Sequence, residues 1–111
     1  MSQNTVSPIN DATKLDLLVE RQDGGIDMCI VAQGPVDGSQ ETLNLIETKI
    51  RNYVREALDS SFRESYGGIA PERIKILFES RFAVDPAVLS LISCLAPEVQ
   101  AAGLALEFRR Y

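Results

Sequence analysis

This sequence contains no histidine. The side chains that remain as candidates for chemistry are two cysteines and a set of carboxylates. Without histidine, Ser-His and Cys-His nucleophile arrangements and the commonest metal ligand are excluded. Cys29 and Cys94 lie far apart in apolar contexts and lack the C-x-x-C spacing of a zinc or redox pair. We predict two reduced thiols buried in the core, with no metal and no cofactor. The alternative is a reactive Cys29 thiolate near Lys75.

The carboxylates are best explained as solvated surface groups. No second carboxylate converges in the sequence on those near the longest predicted helix, which are Glu41, Glu47, Asp59 and Glu64. Asp16 and Asp27 are predicted to face each other across a hairpin and could share a cation, although water usually separates like charges on exposed strands. The sequence therefore predicts no catalytic residue and no enzymatic activity.

The amino-acid composition disfavours several classes of binding partner and several cellular locations. A net charge of −5, with no long basic block, disfavours binding to nucleic acid and to anionic lipid. No apolar run approaches the ~18 residues of a membrane span, and Met1 to Thr13 lack the pattern of a secretory signal. For these 111 residues we predict a flexible tail over 1–13, a single domain over 14–111 and a cytoplasmic location.

Periodicity predicts two helices and four strands. Apolar residues recur at helical spacing from Gly38 to Phe62, a segment that Asp37 or Ser39 can cap. This helix is predicted to run on toward Arg63 to Tyr66 and to end at Gly67-Gly68. A second helix begins at Asp85-Pro86 and ends at Gly103, and Pro97 predicts a kink or a split within it. The strands are predicted at Leu15 to Arg21, Ile26 to Ala32, Arg73 to Phe82 and Leu104 to Tyr111.

The order of these elements predicts the fold. Right-handed crossovers in the order β-β-α-β-α-β place both helices on one face of the sheet. We predict an α/β protein of the α+β type, a two-layer sandwich of a four-stranded mixed sheet and two helices. Strand order in the sheet stays open, because the hairpin can sit beside the third strand or admit another strand.

One face of this sheet is predicted to lack a cover. Turn geometry between the first two strands favours a register in which Leu15, Leu17 and Val19 meet the helices together with Ile26, Met28 and Ile30. The opposite face then holds apolar and charged side chains, among them Leu18, Cys29, Val31, Leu77, Glu79 and Arg109. Because exposed apolar area marks a contact surface, we predict a non-enzymatic module that forms a homodimer through this face.

Two other functions remain open. The same face, or the acidic helix, could bind a different protein. Alternatively, a small-ligand site or an active site could lie where strands end and helices begin, around Gly34, Asp37, Phe82 and Asp85. RNA binding is disfavoured because Phe78, Phe82 and Phe108 are predicted on the helix-covered face, which leaves the open face without a stacking aromatic before Tyr111.

The layout resembles a family of small bacterial proteins known only as a domain of unknown function. The resemblance covers most of the chain after the tail. It rests on Leu15-Asp16-Leu17-Leu18, Leu43 to Tyr53 with Glu47-Thr48-Lys49-Ile50, Arg73-Ile74-Lys75-Ile76, and Ala102-Gly103-Leu104. Family members often carry a His and a Trp just after the second strand, where this chain has Ala32-Gln33-Gly34-Pro35. The resemblance implies the fold and no activity.

Overall fold

The structure is a computed structural model that describes Ile9 and residues 11–110. Its elements are β1 (Leu17–Glu20), β2 (Ile26–Val31), α1 (Gln40–Leu58), α2 (Ser60–Glu64), a 3-10 turn (Pro71–Arg73), β3 (Ile74–Ser80), α3 (Pro86–Ala101) and β4 (Ala105–Arg110). The predicted order and the α+β class are confirmed. Tyr111, which the sequence places in the last strand, lies outside the described residues.

The sheet has the order β1-β2-β3-β4, which resolves the strand order left open above. β1 is antiparallel to β2, while β2, β3 and β4 run parallel. One face is covered by α1 and α3, whose buried side chains join those of the strands in a single core. Its principal members are Ile46, Ile50, Tyr53 and Ala57 of α1, Val88, Ile92, Leu95 and Val99 of α3, and Met28, Ile30, Ile76, Phe78 and Leu106 of the sheet.

Capping side chains set the helix boundaries. Ser39 accepts a hydrogen bond from the Thr42 backbone N–H and begins α1. The helix predicted to run on toward Tyr66 is instead interrupted at Asp59, whose extended backbone lets its side chain accept from the Ser61 N–H and begin α2. A short acidic side chain that can bond nearby N–H groups favours a cap over a helix interior, which explains this break.

The second predicted helix starts as expected. Asp85 caps α3 by accepting from the Ala87 N–H, and Pro86 occupies the first turn. Pro97 does not split the helix, which continues to Ala101. Pro97 has no N–H, so the Ser93 carbonyl loses its helical donor. Both residues are exposed, and water can therefore hydrate that carbonyl.

The predicted register of the β1–β2 hairpin is wrong by one residue. The Arg21 N–H donates to the Gly25 carbonyl and the Gly24 N–H to the Arg21 carbonyl, with Gly24 at φ +88°. This turn with a left-handed glycine adds one bulged residue to the hairpin, and a shift of one residue moves every side chain to the opposite face. Leu18 consequently lies opposite Met28 and packs against the core.

The segment before β1 contacts the domain. Ile9 is buried in the core, the Lys49 ammonium donates to the Asp11 carbonyl at 3.1 Å, and the Asn52 amide donates to the Ala12 carbonyl at 2.9 Å. Of the flexible tail predicted over residues 1–13, residues 1–8 and 10 lie outside the described residues. In the described part, α1 therefore holds the chain that leads into β1.

Candidate functional site

The sheet face that the helices leave uncovered is the first candidate site, and we call it the open face. Its residues lie in three rows across the strands: Leu17, Cys29, Leu77 and Glu107; Val19, Asp27, Lys75 and Ala105; and Val31, Glu79 and Arg109. Five of the six predicted interface residues lie on it. Leu18 does not, because of the register shift described above, and Leu17 and Val19 take its place.

Exposure varies sharply across the open face. Cys29 and Leu77, in the central strands, are each 1% exposed, whereas Leu17 and Val19 on the edge strand are 47% and 40% exposed. The centre of this face is therefore inaccessible to solvent within the single chain. Its accessible apolar surface runs along β1, where Leu17 and Val19 were expected to face the core.

Charges on the open face are paired and balanced. Arg21, at the hairpin turn, forms an ion pair with Asp27, and the Lys75 ammonium lies 3.2 Å from the Glu107 carboxylate. Glu79 lies opposite Arg109 in the β3–β4 register. The open face thus holds three acidic and two basic side chains, and Arg21 at its edge supplies a third positive charge, so the region is close to neutral on a protein with a net charge of −5.

The environment of Cys29 makes its thiol a poor nucleophile. Burial, together with a hydrogen bond to the Glu79 carboxylate and the charge on that group, raises the pKa of the Cys29 thiol to about 12. Lys75, which a reactive Cys29 would need as its cation, is engaged with Glu107. Hence the arrangement favours the inert thiol over the reactive one.

Cys94 is exposed, so its predicted burial is wrong. The buried positions of α3 are Val88, Ile92, Leu95 and Val99, spaced by three and four residues. Cys94 precedes Leu95 by one residue, which turns its side chain roughly 100° away from that face. Apolar neighbours in the sequence therefore did not indicate burial on this helix.

We expect the two thiols to react very differently with a chromogenic disulfide reagent. At pH 8, a thiol with a pKa of about 12 is ionised in about one molecule in 10⁴, and Cys29 is also buried. One thiol per chain should react within minutes in the folded protein, and the second only after denaturation. Rapid reaction of a folded Cys94→Ser variant would contradict this expectation.

The carboxylates considered above have structural roles or face solvent. Asp16 and Asp27 do not form a cation site: the Asp16 carboxylate lies 2.6 Å from the Lys49 ammonium, and Asp27 pairs with Arg21. Glu47 pairs with Arg51 one turn along α1, and Asp59 caps α2. Within the described ranges, no group of three or more His, Cys, Asp or Glu side chains could hold a metal ion.

The alternative site predicted at Gly34, Asp37, Phe82 and Asp85 is only partly assembled. The loops after β2 and β3 do meet, because the Val36 N–H donates to the Ala83 carbonyl at 2.9 Å and the Asp85 N–H to the Val36 carbonyl at 2.9 Å. The Thr42 hydroxyl donates to the Asp37 carboxylate and holds its pKa below the usual value. Asp37 and Asp85 therefore both accept hydrogen bonds at the starts of helices.

Phe82 is 36% exposed and does not lie on the helix-covered face, in contrast to the prediction. Phe78 and Phe108 do, with ring centroids 5.9 Å apart. Phe82 follows the end of β3 and borders a pocket of about 400 Å³, which forms the second candidate site. Sequence reasoning missed Gln33 and Arg81 of this pocket, although their positions directly after two parallel strands were a usable signal.

The geometry defines a class of protein, a two-layer α+β domain whose sheet carries one uncovered face and a pocket at its strand ends. Comparisons of the chain with protein-family models, with curated proteins and with solved structures found no match. Among the described residues, none of the helices has the length and apolarity needed to cross a membrane.

Proposed function

We propose that this chain is a non-enzymatic interaction module that self-associates through its open face. The observation that carries the proposal is the exposure of Leu17 and Val19 on a sheet face that the helices leave uncovered. Phe82, two residues after the end of β3, borders the same pocket as Leu17. These are three of the six large apolar side chains exposed in the described chain. Clustered exposed apolar side chains favour a contact surface.

The charge distribution favours a second copy as the partner. Two molecules with a net charge of −5 repel each other, so self-association requires a contact surface that does not add to this repulsion. The open face meets this requirement, since its three acidic side chains are balanced by Lys75, Arg109 and the adjacent Arg21. Sheets pack face to face at about 10 Å through interdigitated side chains, which suits an apolar strip beside paired charges.

Val19→Glu tests the proposal. The substitution places a carboxylate at an exposed position of the open face, beside Asp27 in the register, so the dimer would bury an unpaired charge. In light scattering at two concentrations, we expect a wild-type dimer and a dissociation constant at least about tenfold weaker in the variant.

Leu89→Glu is the matched control, because Leu89 is 38% exposed but lies on α3 in the helix layer. This variant should dimerise like the wild type. A wild-type protein that stays monomeric at the higher concentration would overturn self-association. It would favour the second proposal, in which the face binds a different protein.

A further inference from the structure

The sheet has two edge strands, β1 and β4, and β4 has a neighbouring strand on one side only. It pairs with β3 from Ala105 to Arg110, and no strand of the described chain pairs with its other edge. In a parallel pair, alternate residues bond to the neighbouring strand, so the intervening residues turn their N–H and C=O groups toward the free edge. This edge is therefore a template for one further strand.

Of the two edges, β4 is the better suited to pairing. β1 spans only four residues and ends at the bulged turn around Gly24, whereas β4 spans six residues in an unbroken register with β3. Short edges and bulges are devices that prevent edge pairing, and β4 has neither of them. Six residues are also the usual length of a strand, so an incoming strand of ordinary length matches β4.

Positive charge is concentrated at the carboxyl end of this edge. The last two residues of β4 are Arg109 and Arg110, both exposed and on opposite faces of the sheet. Arg81, also exposed, directly follows Ser80, the register partner of Arg110. Arg81 and Arg110 form no hydrogen bond or ion pair with the described residues, whereas Arg109 lies opposite Glu79. On a chain with a net charge of −5, these arginines favour an acidic partner.

Phe108 adds an apolar contact beside the arginines. Its ring is partly buried on the helix-covered face, where it stacks on Phe78 with centroids 5.9 Å apart. On an added strand, the residue opposite Phe108 would lie on the same face, and β-branched side chains pair favourably with aromatic ones across strands. An antiparallel strand would meet Arg110 first, then Arg109 and then Phe108. The edge thus fits two acidic residues followed by a β-branched one.

We infer that the free edge of β4 binds an extended acidic segment of a different protein, which adds to the sheet as a further, antiparallel strand. Two successive carboxylates of the segment pair with Arg110 and Arg109, and the next side chain packs beside Phe108. Main-chain hydrogen bonds hold the segment, and its side chains select it. The inference does not depend on the proposed self-association, because β4 and β1 lie at opposite edges of the sheet.

A labelled peptide tests this inference by fluorescence anisotropy on the full chain. In Ser-Glu-Glu-Val-Thr-Val-Ser, the two glutamates are placed for Arg110 and Arg109, and the first valine for Phe108. We expect a dissociation constant of about 1 mM or tighter, and at least about tenfold weaker binding of Ser-Lys-Lys-Val-Thr-Val-Ser. No binding of the acidic peptide, or equal binding of the two peptides, would overturn the inference.

Backbone methylation of the acidic peptide separates strand addition from attraction between charges. Methylation of alternate residues removes the N–H groups along one edge of the peptide and keeps both carboxylates. The peptide methylated on one alternate set should lose binding, while the peptide methylated on the other set should keep it. Equal affinities of these two peptides would show that no strand is added, and the inference would fail.

Variants locate the binding at β4. Arg110→Gln removes an exposed guanidinium from the edge and should weaken binding of the acidic peptide about three- to fivefold, the upper range for an exposed ion pair. Arg55→Gln is the matched control, because it removes an exposed guanidinium from α1 and should bind as the wild type does. Equal affinity of the two variants would overturn the assignment to this edge.

The same titration on Val19→Glu separates this inference from the proposed self-association. Val19 lies on β1, so the variant should bind the acidic peptide with wild-type affinity whether or not it dimerises. Loss of peptide binding in a folded Val19→Glu protein would overturn the inference. So would an apparent affinity that falls as the protein concentration rises, because a second copy would then occupy the edge of β4.

Discussion

Replacing Lys49 with methionine is expected to lower the free energy of unfolding by about 3–5 kcal/mol, the usual effect of removing one partner of a buried ion pair. Lys49 is 0% exposed, and its ammonium lies 2.6 Å from the Asp16 carboxylate. Methionine fills much of the same volume, so the loss comes mainly from the Asp16 charge, which stays buried without its cation.

Asp16 links three parts of the chain, which is why its pairing matters. Its second carboxylate oxygen accepts from the Val31 N–H at 3.0 Å, while its own N–H donates to the Tyr53 hydroxyl at 2.9 Å. That hydroxyl donates to the Cys29 carbonyl at 3.0 Å. The segment before β1 is thereby joined to α1 and to β2, and an unpaired Asp16 would disturb all three.

Equilibrium denaturation by urea measures the effect, and Arg51→Met is the matched control. Arg51 lies two residues further along α1 and pairs with Glu47 at 3.0 Å and with Glu98 at 3.2 Å, both in solvent. Its replacement should leave the denaturation midpoint close to that of the wild type, since surface ion pairs contribute little. Similar midpoints for Lys49→Met and Arg51→Met would contradict the buried-pair account.

Leu77→Glu is expected to abolish the folded state or to destabilise it by more than about 4 kcal/mol, because it buries an unpaired charge. Leu77 is 1% exposed between Cys29 and Glu107 in its row, with Glu79 two residues along the strand. The new carboxylate would thus lie in a desolvated position near two existing ones. Because Leu77 is buried within one chain, a charge there changes the stability of the fold and cannot be used to test for an interface.

Leu17→Glu is the comparison variant, because Leu17 lies in the same row but is 47% exposed. It should remain folded, with a cooperative urea transition near that of the wild type. Leu77→Ala gives a second measurement and should cost about 2–5 kcal/mol, the usual effect of removing a buried leucine side chain. A folded Leu77→Glu protein as stable as Leu17→Glu would contradict the burial of Leu77.

The sequence by itself determined the element order, the fold class and the face assignments of the parallel strands. These features depend on short-range rules: Asp85-Pro86 begins α3, and alternation along β3 separates Ile76 from Leu77. Because side chains alternate along every strand, Met28 and Ile76 had to share one face once β2 and β3 paired in register.

Only the tertiary structure decided the face of β1, the pairing of Lys49 and the pocket at Arg81. The first depends on one bulged residue at Gly24, which alternation in the sequence does not reveal. Lys49 does lie on the apolar stripe of α1, three residues after Ile46 and four before Tyr53, but its partner Asp16 is 33 residues away. Arg81, Gln33 and Leu17 border one pocket only because the strands that they follow or belong to pair in one sheet. Such contacts join residues distant in the chain, whereas periodicity and capping act within a few residues.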